Sequence, residues 1–162
     1  AYHTIKATLE GKKYEPGKLS DVLLTKCGAF VSLHKKGRLR GCIGHFGEDM
    51  PLYQVVEHMA KAAAFEDPRF YGVTMEELDD IDIEISVLTP MKRIQSIDEF
   101  ELGKQGIFIR KGYHTGTFLP QVADEVSWTK EEFLGHCAQD KAGIGWDGWQ
   151  TAELYTYEAI VF

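Results

Sequence analysis

Residues 81–88 read Ile-Asp-Ile-Glu-Ile-Ser-Val-Leu, a strict alternation of apolar and polar side chains. Only an extended strand has a period of two, so Ile81, Ile83, Ile85 and Val87 share one face and Asp82, Glu84 and Ser86 the other. A strand patterned this way buries one side and belongs in an antiparallel sheet rather than a fully covered parallel one. Its neighbours are legible upstream. Residues 29–34 and 38–43 form a hairpin around Lys35-Lys36-Gly37. A three-residue loop sets His34 opposite Arg38, Ser32 opposite Arg40 and Phe30 opposite Cys42. Val31, Leu33, Leu39, Gly41 and Ile43 then form an apolar face, with Ser32, His34, Arg38, Arg40 and Cys42 on the other. A slip of one residue would pair His34 with Leu39 and mix the faces, which burial penalises.

Helices alternate irregularly with these strands. Ile5 and Leu9 share a helical face over residues 2–10, and Gly11 is a stop. Asp49 is placed to cap a helix with Pro51 in its first turn, and Leu52, Val55, Val56, Met59, Ala60 and Ala63 recur at helical spacing until Asp67-Pro68. Thr74 with Glu77 and Thr129 with Glu132 have the spacing of capping boxes, the second opening a helix to about Lys141. A second hairpin is expected over 106–110 and 117–119 with its turn at 111–116, and 154–162 reads as one closing strand. Without a regular strand-helix-strand crossover, the class is α+β, a largely antiparallel sheet flanked by helices.

The chain has 162 residues, the size of a single domain, with no low-complexity tract or flexible linker. Acidic residues number 25 against 18 basic ones, a net charge of −7. That argues against nucleic-acid binding, which needs a basic footprint. No apolar run reaches the roughly 18 residues of a membrane span. Three widely spaced cysteines, Cys27, Cys42 and Cys137, without a Cys-x-x-Cys, suit free thiols in a reducing cytoplasm. The start has no signal-peptide pattern and no initiator Met, so a trimmed or processed piece is expected.

Cys42 carries the sharpest chemistry. Arg40 stands two residues away on the same expected face and His45 follows closely; a cation lowers a thiol pKa, and the thiolate is the nucleophile. Gly41 and Gly44 flank it and admit another backbone or a ligand. The competing reading is a buried, inert cysteine packed on Phe30. Arg40 can clamp a carboxylate or phosphate, or serve in an ion pair with Glu84 or Asp67. Glu84, mid-strand, is either a general base or half of a buried salt bridge. Asp67 and Arg69 flank Pro68 as ligand groups or as a self-paired turn. Gln121 either binds a ligand or caps the next segment. No histidine pair has metal-ligand spacing, and no nucleotide motif is present, so neither metal nor cofactor is expected.

Leu39-Arg-Gly-Cys-Ile-Gly44 resembles the signature of the AMMECR-type domain family, known in bacteria as AmmeMemoRadiSam system protein A. The likeness extends through Gly28–Leu33, Ala62–Phe70, Ile83–Leu88, Leu119–Ala123, Lys141–Gly143 and Trp149. Gly72 departs from the family's usual Pro and Thr117 from an aliphatic residue, which bears on local packing. The resemblance implies one domain over 1–162 whose first helix begins upstream of Ala1. It implies a larger lobe built from both termini, a smaller lobe around 100–128, and the signature near a cleft between them. It also implies Memo-type and radical SAM proteins as partners. Two functions remain open. One is a cytoplasmic enzyme or enzyme subunit using Cys42, Arg40 and Glu84 or His45 on a small acidic or carbonyl compound. The other is a non-catalytic adaptor whose cleft docks a peptide, metabolite or protein.

Overall fold

In the computed structural model, which describes residues 1–162, the chain runs α1 (Tyr2–Leu9), α2 (Asp21–Leu24), β1 (Ala29–Lys35), β2 (Arg38–His45), α3 (Leu52–Phe65) and β3 (Ile81–Leu88). It continues through β4 (Lys92–Ile94), β5 (Gly106–Lys111), β6 (His114–Phe118), α4 (Val122–Glu125), α5 (Lys130–His136), β7 (Glu153–Tyr157) and β8 (Ala159–Val161). The class is α+β, with two four-stranded antiparallel sheets ordered β2-β1-β3-β8 and β4-β7-β5-β6. Each sheet belongs to one compact unit: Ala1–Leu88 with Ile160–Phe162, and Thr89–Ala159. The segment 100–128 lies inside the second unit. No helix is long and apolar enough to cross a membrane.

In the first unit α3 lies across β1 and β2. Val31 and Leu33 of the sheet meet Ala60, Ala63 and Ala64 of the helix, all buried, with Ile5 of α1 beside them. The alternation in β3 holds: Ile83 and Ile85 pair with Leu33 and Val31, while Glu84 and Ser86 pair with Ser32 and Phe30 on the other face. The second unit is built on rings. Phe100, Phe118 and Phe133 cluster with Ile107, Ile109, Leu134 and Cys137, and Trp128 packs alongside. The capping box predicted at Thr129 and Glu132 is present with both reciprocal hydrogen bonds.

The first hairpin departs from the expected register. Lys35 pairs with Arg38, so the loop is the two residues Lys36-Gly37. Both have positive φ, 52° and 76°, as a type I′ turn requires. His34 then faces Leu39, the slipped register, and beyond a β-bulge at Arg40 Ser32 stands opposite Cys42 rather than Arg40 and Phe30 opposite Gly44 rather than Cys42, while Leu33 meets Gly41 and Val31 meets Ile43. The core face survives except at Leu39, which is 40% exposed rather than buried.

Other elements differ at their ends. Pro51, not Asp49, occupies the N-cap of α3; the Asp49 carboxylate is drawn to His45 instead. Thr74 donates to the Glu77 carboxylate rather than capping a helix, and only a 3-10 turn, Leu78–Asp80, follows. The second hairpin turns on Gly112 and Tyr113 alone. α5 ends at His136, and one π-helical turn carries the chain through Lys141. The closing segment is two strands: β7 lies in the second sheet, and β8 crosses to the first.

Candidate functional site

The polar face of the first sheet carries a straight row of side chains. Cys42 on β2, Ser32 on β1 and Glu84 on β3 are register partners, so neighbours in the row stand about 4.8 Å apart along the hydrogen-bonding direction. The Ser32 hydroxyl and the Cys42 thiol are 3.2 Å apart. That closeness follows from the backbone. β2 is an edge strand, and the Cys42 N–H points outward, donating to Asp67 Oδ2 at 3.0 Å. Cys42 and Ser32 are therefore a non-hydrogen-bonded pair, the kind whose side chains approach most closely.

Asp67 is 4% exposed and is the hub of this edge. Its Oδ1 accepts from the Arg69 N–H and Nε, and its Oδ2 from Arg69 Nη2 at 2.7 Å. Arg69 Nη2 also donates to the Cys42 carbonyl at 3.3 Å. Both outward backbone groups of Cys42 are thus closed off by one self-paired turn, which blunts an otherwise open strand edge. The Arg69 guanidinium, with the N–H groups of Cys42 and Arg69, holds the Asp67 carboxyl far below the usual carboxylate range.

Burial pushes the Cys42 thiol up from its ordinary value. The Ser32 hydroxyl and the Arg69 charge oppose that rise, and the Asp67 and Glu84 carboxylates add to it. Neither group expected to activate the thiol reaches it. The bulge turns Arg40 toward the 71–77 segment, where Nε donates to Glu77 at 2.8 Å and Nη1 and Nη2 to the Tyr71 and Gly72 carbonyls. Its partner is therefore Glu77, not the Glu84 or Asp67 named from sequence. His45 pairs with Ala29, on the α3 side of the sheet, and its Nε2 lies 2.8 Å from Asp49 Oδ1. Three residues along a strand reverse the face, a signal present in the Cys42–His45 spacing itself.

The signature glycines are filled from within. A Cβ at Gly41 would run into the Ala63 carbonyl of α3, and one at Gly44 would run into the Phe30 ring. Phe46 meets that ring edge-on at 5.3 Å. Glu84 is half-buried and forms no hydrogen bond or ion pair. Gln121 belongs to the second unit, at the N-cap of α4, where its side chain makes no capping bond. Across the chain, no three His, Cys, Asp or Glu side chains converge on a point that could hold a metal ion. Two contacts of the thiol differ from the sequence reading. Asp67 and Arg69 form the self-paired turn that was one of their two expected roles, but Arg69, not Arg40, is the cation beside the thiol. Ser32 was placed on the right face but opposite the wrong residue.

The AMMECR1 family profile matches residues 1–162. Protein NEQ441 of Nanoarchaeum equitans is 38% identical over 98% of this chain and 93% of its own length. Protein MJ0810 of Methanocaldococcus jannaschii is 38% identical over 95% of this chain and 81% of its own. The crystal structure of the uncharacterised protein PH0010 from Pyrococcus horikoshii superposes with a TM-score of 0.88 at 35% identity, covering 98% of this chain and 86% of that one.

Proposed function

The chain belongs to the AMMECR1 family, and from that premise we propose that it is a cytoplasmic binding module whose Ser32–Cys42–Glu84 face docks a ligand or partner without covalent chemistry at the thiol. One observation carries this reading: the groups that would make Cys42 a thiolate are engaged elsewhere, and burial drives its pKa up rather than down. A thiol so held is a hydrogen-bonding wall, not a resting nucleophile. The row offers a partly buried thiol, backed by the buried Ser32 hydroxyl, and a free carboxylate, a pattern that suits a ligand bearing N–H donors. A small acidic compound would meet Glu84 with only Arg69 as counter-charge. Memo-type and radical SAM proteins, implied by the family resemblance, are the partners this module would serve.

The enzyme reading retains one supporting observation, the unpaired Glu84 carboxylate in line with Ser32 and Cys42. Such a group can take a proton from a bound substrate. Alkylation with iodoacetamide across a pH series separates the two. Cys27, whose pKa burial also raises but which has no second thiol partner beyond the Thr25 carbonyl, should label ahead of Cys42, and the buried Cys137 last. The Cys42 midpoint should lie above the free-thiol value of about 8.5. Labelling of Cys42 first, with a midpoint well below that value, would replace the binding module with a cysteine enzyme.

A further inference from the structure

In the second unit β4 and β7 stay paired only as far as Ile94 and Leu154. Beyond that pair the chain is drawn apart from both sides. Ser96 and Glu99 close a capping box: the Glu99 carboxylate accepts from the Gln95 and Ser96 N–H groups at 2.7 and 3.2 Å, and Ser96 Oγ accepts from the Asp98 N–H at 3.2 Å. Backbone donors at the end of β4 are thereby taken, and the chain bends into the 3-10 turn Ile97–Glu99. On the other side Trp146–Thr151 is a second 3-10 turn. The Thr151 hydroxyl steadies it, donating to the Gly148 carbonyl at 3.4 Å and accepting from Lys111 Nζ at 2.8 Å. An opening of about 480 Å³ lies in the fork, a size within the roughly 300–1,000 Å³ of small-molecule sites.

Most ligand sites are apolar walls with a few polar groups. This wall is mainly polar, and several of its groups have hydrogen-bonding capacity to spare. The Gln95 and Gln150 side-chain amides are exposed and make no hydrogen bond within the chain. The Trp149 indole N–H has no acceptor in the chain either. Since no buried side-chain nitrogen lacks a partner, that N–H is open to solvent. Trp149 itself is half-buried against the aromatic core, which holds the donor in place. Arg93 is the one charged side chain on the wall, and Glu153 stands 3.7 Å from it. The fork thus presents two amides that each donate and accept, an indole that donates, and a cation whose charge is already matched.

We infer that this fork binds a neutral sugar ring, its hydroxyls bridging the Gln95 and Gln150 amides and accepting from the Trp149 indole. A hydroxyl both donates and accepts, as each amide does, so a polyol satisfies groups that a hydrocarbon would strand. An anion gains little, because Glu153 stands beside the one cation that would receive it. The site uses nothing from the Ser32–Cys42–Glu84 face, so its failure leaves the binding-module reading untouched.

The indole N–H resonances of the full chain test it. There are three, from Trp128, Trp146 and Trp149, and Trp149→Phe assigns the one in the fork. Glucose, galactose, mannose, glucuronate and cyclohexanol are titrated in turn. At least one neutral hexose should move the Trp149 resonance saturably and leave the other two in place, binding about tenfold tighter than cyclohexanol and no weaker than glucuronate. Gln95→Ala combined with Gln150→Ala, both at exposed positions, should weaken that hexose about tenfold without shifting the melting temperature. No saturable shift with any hexose, cyclohexanol binding as tightly as the best hexose, glucuronate binding tighter than every neutral hexose, or an affinity unchanged in the double variant would each overturn the inference.

Discussion

Both sheets are approached by helical backbone over a glycine, Gly41 beneath Ala63 in the first unit and Gly116 beneath Lys141 and Ala142 in the second. From there the two cores diverge. In the first, three of the buried α3 residues facing the sheet are alanines, so the helix sits low on β1 and β2 and has little side-chain volume to spread toward β3. In the second, rings fill the space: Phe118 and Phe133 lie 5.1 Å apart, and Phe100 stacks on Phe133 at 5.7 Å. The same contrast separates the thiols. Cys137 is fully buried among the aromatic residues and pushed up to about 12 by that burial. Cys42 is only partly buried, on a face that carries the half-buried Glu84 carboxylate. Openings remain in both units and differ in kind rather than in presence: the one in the second unit, between Ile97 and Trp149, is lined mainly by polar surface.

The largest expected effect tests the filled core. Phe133→Ala removes a ring that touches Phe100, Phe118 and Trp128 and should cost about 3–5 kcal/mol in urea unfolding. A loss near 1 kcal/mol, as when a site collapses around the deletion, would mean that the aromatic core is no tighter than the alanine one.

Asp67→Ala comes next, at about 2–3 kcal/mol, because it strips a buried carboxylate from two backbone N–H groups and a guanidinium. Its pH dependence has a defined sign. The folded-state pKa of Asp67 is depressed, so its contribution is complete above the unfolded carboxylate value of about 3.9 and is lost as pH falls through the lower folded value. The gap between wild type and variant should stay constant from neutral pH to about 4 and narrow only in stronger acid. A gap that closes between pH 7 and 5 would remove Asp67 as the hub of the edge.

Gly41→Val should cost about 1–3 kcal/mol by driving a side chain into the α3 backbone. An unchanged denaturation midpoint would show that α3 can lift off the sheet at little cost, and the contrast between the two cores would lose its basis.

The patterns that proved legible are those carried by local repetition. Ile81–Val87 alternate because the strand has period two, and Thr129 with Glu132 close a capping box that needs nothing beyond its own turn. Gly41 was also placed correctly, among apolar residues facing the helix. The aim of Arg40 was not legible, because it depends on Lys36 accepting a left-handed φ, which turns a three-residue loop into two and throws the surplus residue into a bulge. The break at Glu158 was hidden for a different reason: 154–162 is β-prone throughout, and only the tertiary arrangement decides that one end pairs with β5 and the other with β3.

The crossing of the chain from β7 to β8 makes the second unit an insertion between the last two strands of the first sheet. Its entry and exit are stitched together, with the Thr89 N–H donating to the Glu158 carbonyl at 2.9 Å and the Glu158 N–H to Thr89 Oγ1 at 2.7 Å. To the host sheet, seventy-odd residues therefore amount to a short loop whose closure entropy is met once, by the guest's own folding. On a ribosome the guest can complete itself first, while β3 waits, unpaired on one edge, for β8 to follow.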